Sequence, residues 1–292
     1  MKPLDLLELF TLGALWGGSF LFMRVAAPEF GPVVLIALRV SIAFLFLLPI
    51  LLHQGCFPIM RRRIGGLAVV GTINSALPFT LFAFATLSLS AGFTAVLNAT
   101  APLFTAIVAF LWLGERPGRL PALGLMVGFG GVVLLVWDKI DVSGNSVALA
   151  IAAGLGASLC YGVAANHTRV HMSGLGSLEL AGGSQLTASI ILLPLCFFYW
   201  PEQAPSLTAW LSVLVLGVVC TGIAYILFFR LLTRLGPAKA VTVTFIVPLA
   251  AMVLGAVLLA ELVTTSMLAG CGLILLGTAL ATGVVKPGLK GS

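Results

Sequence analysis

GTINSALPFTLF (residues 71–82) and GVVCTGIAYILF (residues 217–228) align without a gap at an offset of 146 residues. The same offset holds without interruption from Gly71 to Gly131. It superposes glycines, prolines, one phenylalanine and one acidic residue: Gly71 on Gly217, Phe82 on Phe228, Pro102 on Pro248, Glu115 on Glu261, Gly124 on Gly270 and Gly131 on Gly277. Helix-breaking residues at fixed spacing are harder to match by chance than apolar ones. The spacing therefore indicates two copies of one structural unit.

An offset of 145 extends the match towards the N-terminus. Its pairs are Trp16 with Tyr161, Gly17 with Gly162, Arg24 with Arg169 and Pro49 with Pro194. Two copies of one unit in an apolar chain are typical of a transporter, whose site lies between the copies.

The composition indicates a membrane protein. Of its 292 residues 60% are apolar and 8% are charged, and the mean hydropathy is +1.19. A bilayer-spanning helix needs about 20 mostly apolar residues, and ten such segments are predicted: 6–26, 31–52, 64–87, 91–113, 119–137, 147–167, 178–200, 207–231, 238–260 and 264–285. These runs are continuously apolar, whereas strands of a membrane barrel alternate. The sequence predicts an all-α membrane protein.

Basic residues predict the orientation. With the N-terminus in the cytoplasm, twelve fall on the cytoplasmic side: Lys2, Arg61, Arg62, Arg63, Arg116, Arg119, Arg169, Arg230, Arg234, Lys239, Lys286 and Lys290. Arg24 and Lys139 fall outside, and Arg39 lies within a helix. This bias predicts that both termini are cytoplasmic. It also accounts for the net charge of +6 without a nucleic-acid surface.

The segment count predicts how the two halves are related. Residues 1–140 and 141–292 each hold five predicted helices. Because five is odd, the second half enters the membrane from the opposite side, and the copies are inverted. Inverted copies allow two equivalent packings, one open to each side. The pattern predicts alternating access.

Catalytic and cofactor chemistry finds no support in the sequence. There is no phosphate-binding G-x-x-x-x-G-K-[ST] motif, no cofactor motif and no metal-ligand cluster, so neither an enzyme nor a cofactor is predicted. The acidic residues all fall near predicted helix ends. A proton-driven carrier usually buries a carboxylate near the midplane. Facilitated diffusion is favoured, and coupling through Glu8 or Glu179 stays open.

Three charged residues have competing interpretations. Arg39, about two turns inside predicted helix 2, is either a counter-ion for a substrate carboxylate or a structural clamp on freed carbonyls. Glu115 and Glu261 each precede a helix, and we expect each to cap that following helix.

Polar and aromatic residues predicted at mid-depth are the candidate substrate site. Buried amides and hydroxyls need a neighbouring helix or a ligand as partner. The candidates are Trp16, Ser19, Asn74, Phe79, Asn98, Thr100, Tyr161, Thr221, Tyr225 and Thr244. Helix-breaking residues beside them are predicted hinges, namely Gly17, Pro78, Pro102 and Pro248. For each single residue, packing between helices is the alternative interpretation.

Several of these residues together resemble a known family. Trp16 to Phe20 form a W-G-x-[ST]-F-like element, Arg39 lies in predicted helix 2, and Gly114-Glu115 is echoed by Ala260-Glu261. With the approach to Pro102, this pattern is similar to the EamA-type branch of the drug/metabolite transporter superfamily, in particular amino-acid exporters of the YddG type. The resemblance covers the whole chain. It implies an inner-membrane carrier with a cavity among helices 1, 3, 4, 6, 8 and 9, and it assigns Trp16 to that cavity.

The combined prediction is a multi-pass bacterial inner-membrane exporter of amino acids, aromatic or neutral ones among them, or of similar small metabolites. The expected partners are a small-molecule substrate and the lipid bilayer, with no nucleic acid, and the expected state is a monomer or weak homodimer. One alternative is efflux of hydrophobic cations, disfavoured because no midplane carboxylate is predicted. A passive pore or lipid scramblase is the other alternative.

Overall fold

The computed structural model describes residues 3–140 and 144–283, and every regular element in these ranges is helical. The prediction of helices is confirmed. The predicted boundary at 140/141 and the predicted cytoplasmic ends lie at or outside the limits of the described residues. Lys2, Lys286, Lys290 and the Lys139 side chain, used to predict the orientation, lie outside them as well.

Fourteen α-helices and two π-helical segments make up the described ranges. In chain order they are α1 Pro3–His53, α2 Phe57–Arg62, α3 Ile64–Gly71, the first π segment Thr72–Ala76, α4 Leu77–Ser88, α5 Ala91–Asn98, α6 Ala101–Leu113, α7 Arg119–Ile140, α8 Gly144–His171, α9 Ser177–Tyr199, α10 Leu207–Gly217, the second π segment Val218–Ile223, α11 Ala224–Leu235, α12 Pro237–Ala240, α13 Val243–Leu259 and α14 Thr265–Ala281.

Predicted helices 1 and 2 are joined in α1 and turn at Gly31. This residue has φ 71° and ψ 155°, a conformation that favours glycine. A straight 51-residue helix would be roughly 77 Å long, more than twice the hydrocarbon thickness of a bilayer, about 30 Å. Instead, Arg39 Nη1 lies 3.6 Å from Met23 Sδ. Sixteen residues of straight helix would separate them by roughly 24 Å, so the two arms of α1 lie side by side.

Seven helical stretches are long and apolar enough to cross a membrane. Among the described residues they are Pro3–His53, Ile64–Ser88, Ala91–Leu113, Arg119–Trp137, Asn145–His171, Ser177–Tyr199 and Leu207–Leu235. Two shorter apolar helices, Val243–Leu259 and Thr265–Ala281, follow them. Large apolar side chains cover much of the outer surface, with Phe197 and Leu262 each 86% exposed. Such a surface suits lipid rather than water.

Helices α7 and α14 pack through glycines and run antiparallel. A Cβ on Gly124 would lie 2.7 Å from the Gly277 carbonyl oxygen, and one on Gly131 would lie 2.9 Å from that of Gly270. Moving up α7 by seven residues therefore moves down α14 by seven. Only glycine allows the two backbones to approach this closely.

Candidate functional site

Arg39 lies at the centre of a buried cluster. Its side chain is on the second arm of α1, and the residue is 4% exposed. Nε donates to Thr221 Oγ1 across 3.0 Å, and the guanidinium carbon lies 4.0 Å from the Phe79 ring centroid. The electrostatic neighbours of the guanidinium are Tyr161, Cys220 and Tyr225. The cluster thus joins three of the predicted site aromatics to one cation.

The Arg39 charge has no acidic partner in the described part of the chain. The ion pairs found there involve Arg24, Arg169, Arg230 and Arg234. Nη2 of Arg39 makes no hydrogen bond to a described residue. It is not among the fully buried atoms without a partner, so it keeps some accessible surface. An unpaired charge at depth is costly and usually marks a functional site.

Thr221 explains how the second π segment holds Arg39. Its hydroxyl donates to the Leu216 carbonyl at 2.7 Å, five residues back, as the wider π turn allows. The same oxygen accepts the bond from Arg39. Arg39 therefore contacts a hydroxyl, whereas the clamp interpretation expected freed carbonyls.

A second polar contact resembles the first. Gln185 Nε2 donates to Ser75 Oγ across 3.0 Å, and Ser75 lies in the first π segment. Thr221 is 146 residues after Ser75, whereas the offset of 145 that pairs Arg24 with Arg169 and Pro49 with Pro194 pairs Arg39 with Ser184, the neighbour of Gln185. Gln185 Oε1 is fully buried and has no hydrogen-bond partner among the described residues. Ser75 also lies near Tyr225.

Aromatic contacts form two chains that lead to this cluster. In one, Phe82 packs on Phe20 and on Tyr161, with ring centroids 5.5 and 5.9 Å apart, and Tyr161 lies 6.4 Å from Phe79. The other chain begins with Trp16 on Phe228 at 5.3 Å and passes through Phe229 to Tyr225.

Each of these two series of aromatic contacts contains one contact that corresponds to a contact in the other series. Trp16 and Phe228 correspond to Tyr161 and Phe82 at the offsets noted above, so one aromatic contact occurs twice.

Several predicted site residues keep accessible surface deep among the helices. Those half-buried are Trp16, Asn74, Asn98, Tyr161, Tyr225 and Thr244. The Tyr161 hydroxyl and the side-chain amides of Asn74 and Asn98 make no hydrogen bond within residues 3–140 and 144–283. Unpartnered polar groups at this depth need water or a ligand. A surface cleft on α2, lined by Phe57, Pro58, Arg61 and Arg62, contains none of them.

Three predicted site hydroxyls are bonded within their own stretches of helix. Ser19 donates to the Trp16 carbonyl, Thr100 to that of Leu97 and Thr244 to that of Val241. Ser19 and Thr100 are also buried. Their donors are satisfied without a ligand.

The predicted hinge residues occupy three kinds of position. Pro78 is the second residue of α4, directly after the first π segment, and Pro102 is the second residue of α6, after the break at Ala99 and Thr100. Pro248 lies inside α13. Gly17 lies inside α1, where a Cβ would be 2.7 Å from the Val247 carbonyl oxygen. Its role here is close packing.

The sequence reasoning did not select Ser75, Gln185, Phe82 or Phe228 as site residues. The repeat could have found them, since the offset of 146 relates Ser75 to Thr221 and Phe82 to Phe228, and the offset of 145 relates Arg39 to Ser184, next to Gln185.

Two ion pairs join corresponding residues at opposite ends of the molecule. Arg24 Nε lies 3.8 Å from Glu261 Oε1, and Arg169 Nη2 lies 2.7 Å from Glu115 Oε1. Glu261 also accepts from the Ala91 amide at the start of α5. The expected caps are therefore wrong in detail, because Glu261 binds the first amide of α5 rather than capping the following helix and Glu115 pairs with Arg169. The following helix α14 is capped by Thr264.

Helix packing, both within and between the halves, differs at the two ends. At the Arg24 end, α4 packs on α1 and α5 packs on α13. The corresponding pairs at the Arg169 end are α8 with α11 and α6 with the start of α13. Within the described ranges, neither shows comparable packing. Arg169 and Glu115 are 53% and 54% exposed, whereas Glu261 is 13% exposed. The contacts are thus more extensive at the Arg24 end than at the Arg169 end.

Comparison with known proteins identifies the family. The sequence model of the EamA-like transporter family matches twice, at residues 6–137 and 148–283. The chain belongs to the EamA-like transporter family. It is accordingly a membrane protein of a transporter family, as the resemblance in the sequence predicted.

Relatives across the family carry transporter names. Over 284 residues the chain is 25% identical to the "Uncharacterized transporter YvbV" of Bacillus subtilis, covering 94% of this chain and 90% of that protein. It is 24% identical over 291 residues to the "Uncharacterized inner membrane transporter YedA" of Escherichia coli, covering 94% and 89%. A "Probable terminal-alkyne amino-acid exporter" of Streptantibioticus cattleyicolor is 25% identical, with 91% and 89% covered.

A solved crystal structure shares the fold of this EamA-like chain. The two superpose with a TM-score of 0.64 at 19% identity, over 97% of this chain and 98% of the other. The likeness extends over nearly the whole molecule.

Proposed function

We propose that this protein is a bacterial inner-membrane carrier without enzymatic activity. In this proposal it exports amino acids, aromatic or neutral ones among them, or similar small metabolites by alternating access and facilitated diffusion. The observation that carries the proposal is the partly unpartnered cluster around Arg39, Tyr161 and Tyr225, with more extensive contacts at the Arg24 end than at the Arg169 end. A small-molecule site combines aromatic walls with a few convergent polar groups.

The architecture in this proposal is ten helices in two inverted repeats, residues 1–140 and 141–292. The family match at 6–137 and 148–283 supports two repeats. Corresponding helices α7 and α14 run antiparallel, which supports inversion. Splitting α1 at Gly31 and adding the two shorter helices to the seven candidate spans supports ten.

Alternating access follows from the unequal ends. By the charge pattern, Arg24 lies on the outer side and Arg169 on the cytoplasmic side, so this conformation is open to the cytoplasm. Export then requires the Arg24 end to separate while the Arg169 end packs. Because the two halves have corresponding contacts, the second state can form by exchanging their roles.

The proposed substrate, location and oligomeric state are those of a membrane carrier. The substrate is a small molecule, the bilayer is the solvent, and the protein works as a monomer or weak homodimer without nucleic acid. Naming of one relative as an amino-acid exporter and another as an inner-membrane transporter supports the substrate class and the location.

Reconstitution tests this function. Purified protein in liposomes should take up labelled amino acids saturably, with acceleration by amino acid on the opposite side and without a pH gradient. Uptake of a viologen-type cation instead would favour drug efflux. Flux that does not saturate and shows no such acceleration would favour a pore. A strict requirement for a pH gradient would refute facilitated diffusion.

A further inference from the structure

Positions 39 and 185 make equivalent contacts but carry different chemistry. Arg39 and Gln185 are both buried, at 4% and 0% exposure, and each donates to a hydroxyl on a π segment of the other half. The contacts are alike, but one side chain is a permanent cation and the other is a neutral amide. A site built from two identical halves would present the same charge at both positions. The Arg/Gln difference gives the two positions different charges.

Each side chain also has one polar atom without a partner. At Arg39 it is the donor Nη2, which keeps accessible surface. At Gln185 it is the acceptor Oε1, fully buried and unpartnered among the described residues. Leaving a buried polar atom unpaired is unfavourable. The unused donor of Arg39 is therefore suited to bind an anion. The unused acceptor of Gln185 is suited to bind a cation.

Tyr225 and Tyr161 connect the two positions. Tyr225 lies near both Arg39 and Ser75, and Ser75 accepts from Gln185. The unpartnered Tyr161 hydroxyl is another neighbour of Arg39. The two positions therefore belong to one cluster rather than to separate sites.

We propose that Arg39 and Gln185 are the two polar subsites for a zwitterionic α-amino acid. This inference rests on the proposed transport function and names its substrate class. Arg39, with the Tyr161 hydroxyl, binds the carboxylate through charge-assisted hydrogen bonds. Gln185 Oε1, which is fully buried in this conformation, accepts from the ammonium group once the substrate separates the side chains that cover it. The half-buried aromatic side chains of the cluster contact the substrate side chain.

The first test needs no mutation. Purified protein in liposomes is assayed for uptake of labelled L-leucine and L-phenylalanine, with the matching carboxamides and N-acetyl derivatives as competitors. A carboxamide lacks the carboxylate, and an N-acetyl derivative lacks the ammonium. Each should compete about 10- to 100-fold more weakly than the parent amino acid, since hydrogen bonds to charged groups contribute about 1.5–3 kcal/mol.

The second test assigns the subsites. Arg39→Gln should lose the preference for L-leucine over L-leucinamide, and Gln185→Leu should lose the preference for L-leucine over N-acetyl-L-leucine. The exchange variant R39Q/Q185R should regain preference for the zwitterion, because the two positions make equivalent contacts. Arg62→Gln and Gln203→Leu, both at exposed positions, are matched controls that should keep the wild-type preferences.

The outcomes separate this inference from the transport function. Saturable uptake in which parent, carboxamide and N-acetyl derivative compete equally overturns the zwitterion site and leaves the carrier intact. No saturable uptake of any amino acid or derivative overturns both. If Arg39 only supports the second π segment, Arg39→Gln and Thr221→Val would lower all uptake alike and leave the ratio between L-leucine and L-leucinamide unchanged, which also overturns the inference. That ratio is independent of how much variant protein folds.

Discussion

Arg24 Nε lies 3.8 Å from Glu261 Oε1, and the two side chains together hold the junction between α4 and α5. Arg24 donates to the carbonyls of Thr86 and Leu87 at 2.5 and 3.0 Å, and Glu261 accepts from the Ala91 amide at 3.0 Å. Contacts of Arg169 and Glu115 with α11 and α12 would correspond to these, and none occurs within residues 3–140 and 144–283. One ion pair therefore acts as a latch between the halves, and its counterpart does not.

Removing the latch should favour opening at the Arg24 end. In protein whose five native cysteines are replaced by serine, a cysteine at Leu89 reports on this end, because Leu89 is 2% exposed in the closed form. Arg24→Gln removes the ion pair and both carbonyl contacts, so labelling by a membrane-impermeant maleimide should accelerate about 5- to 10-fold. Arg62→Gln should leave the rate unchanged. An unaltered rate in R24Q would show that these contacts do not hold the end closed.

The two corresponding glutamates should differ in their effect on stability. Glu261→Ala removes the acceptor of the Ala91 amide at the start of α5, whose N-cap is Ser90, and should lower the unfolding free energy by about 1 kcal/mol. Glu115→Ala breaks an exposed ion pair and should change it by less than about 0.5 kcal/mol. Thermal unfolding in detergent compares the two variants directly. Equal losses would contradict the role of Glu261 at the start of α5.

Two corresponding glycines should tolerate no side chain. A Cβ on Gly17 would lie 2.7 Å from the Val247 carbonyl oxygen, and one on Gly162 would lie 2.8 Å from the Phe104 carbonyl carbon. Gly17→Ala and Gly162→Ala should each cost about 1–3 kcal/mol of unfolding free energy through overpacking.

Other helical glycines provide matched controls for this test. A Cβ on Gly130 or Gly272 would meet nothing within 4 Å. Gly130→Ala and Gly272→Ala should be neutral, or stabilising by up to about 1 kcal/mol. Unfolding curves of the four variants test this, and a stable G17A would show that α1 can move away from α13 at little cost.

Trp16 should matter for transport rather than for folding. Its ring packs on Phe228 and is half-buried, with surface left for a ligand. Trp16→Ala should raise the KM for uptake at least about 10-fold through lost aromatic contact with the substrate, while the expression level stays near that of wild type. Trp137→Ala, at a position that is 69% exposed, is the control. Unchanged uptake kinetics in W16A would remove Trp16 from the site.

Parts of the site followed from the sequence because they depend on spacing. Gly17 and Gly162 were paired by offset, and each is a close-packing residue in the structure. Phe79, Tyr161, Thr221, Tyr225 and Arg39 were all selected, and the structure brings them together. Residue type and position along the helix were enough to select these residues, because a polar side chain in the middle of the membrane is usually buried against another helix.

Other parts could not be predicted from the sequence. Thr100 and Asn98 carry similar signals, yet the Thr100 hydroxyl bonds to the Leu97 carbonyl while the Asn98 amide has no partner among the described residues. Helix propensity gives no warning of the π segments, which turn Ser75 and Thr221 towards the other half. Gln185 has no sequence signal of its own beyond its place next to Ser184, the counterpart of Arg39.

The sequence by itself determined that this is a helical membrane protein of the EamA-like transporter family with a repeated spacing of glycines and prolines. The free energy of transferring a segment into the membrane is roughly the sum of its residues' contributions, and glycine and proline break helices locally. Neither property depends on which distant parts of the chain pack together. The tertiary structure decided which end has the more extensive contacts and which polar atoms stay unpartnered. Two halves with corresponding contacts can close at either end, and only long-range packing, such as that of Arg24 and Glu261 on α4 and α5, selects one of them.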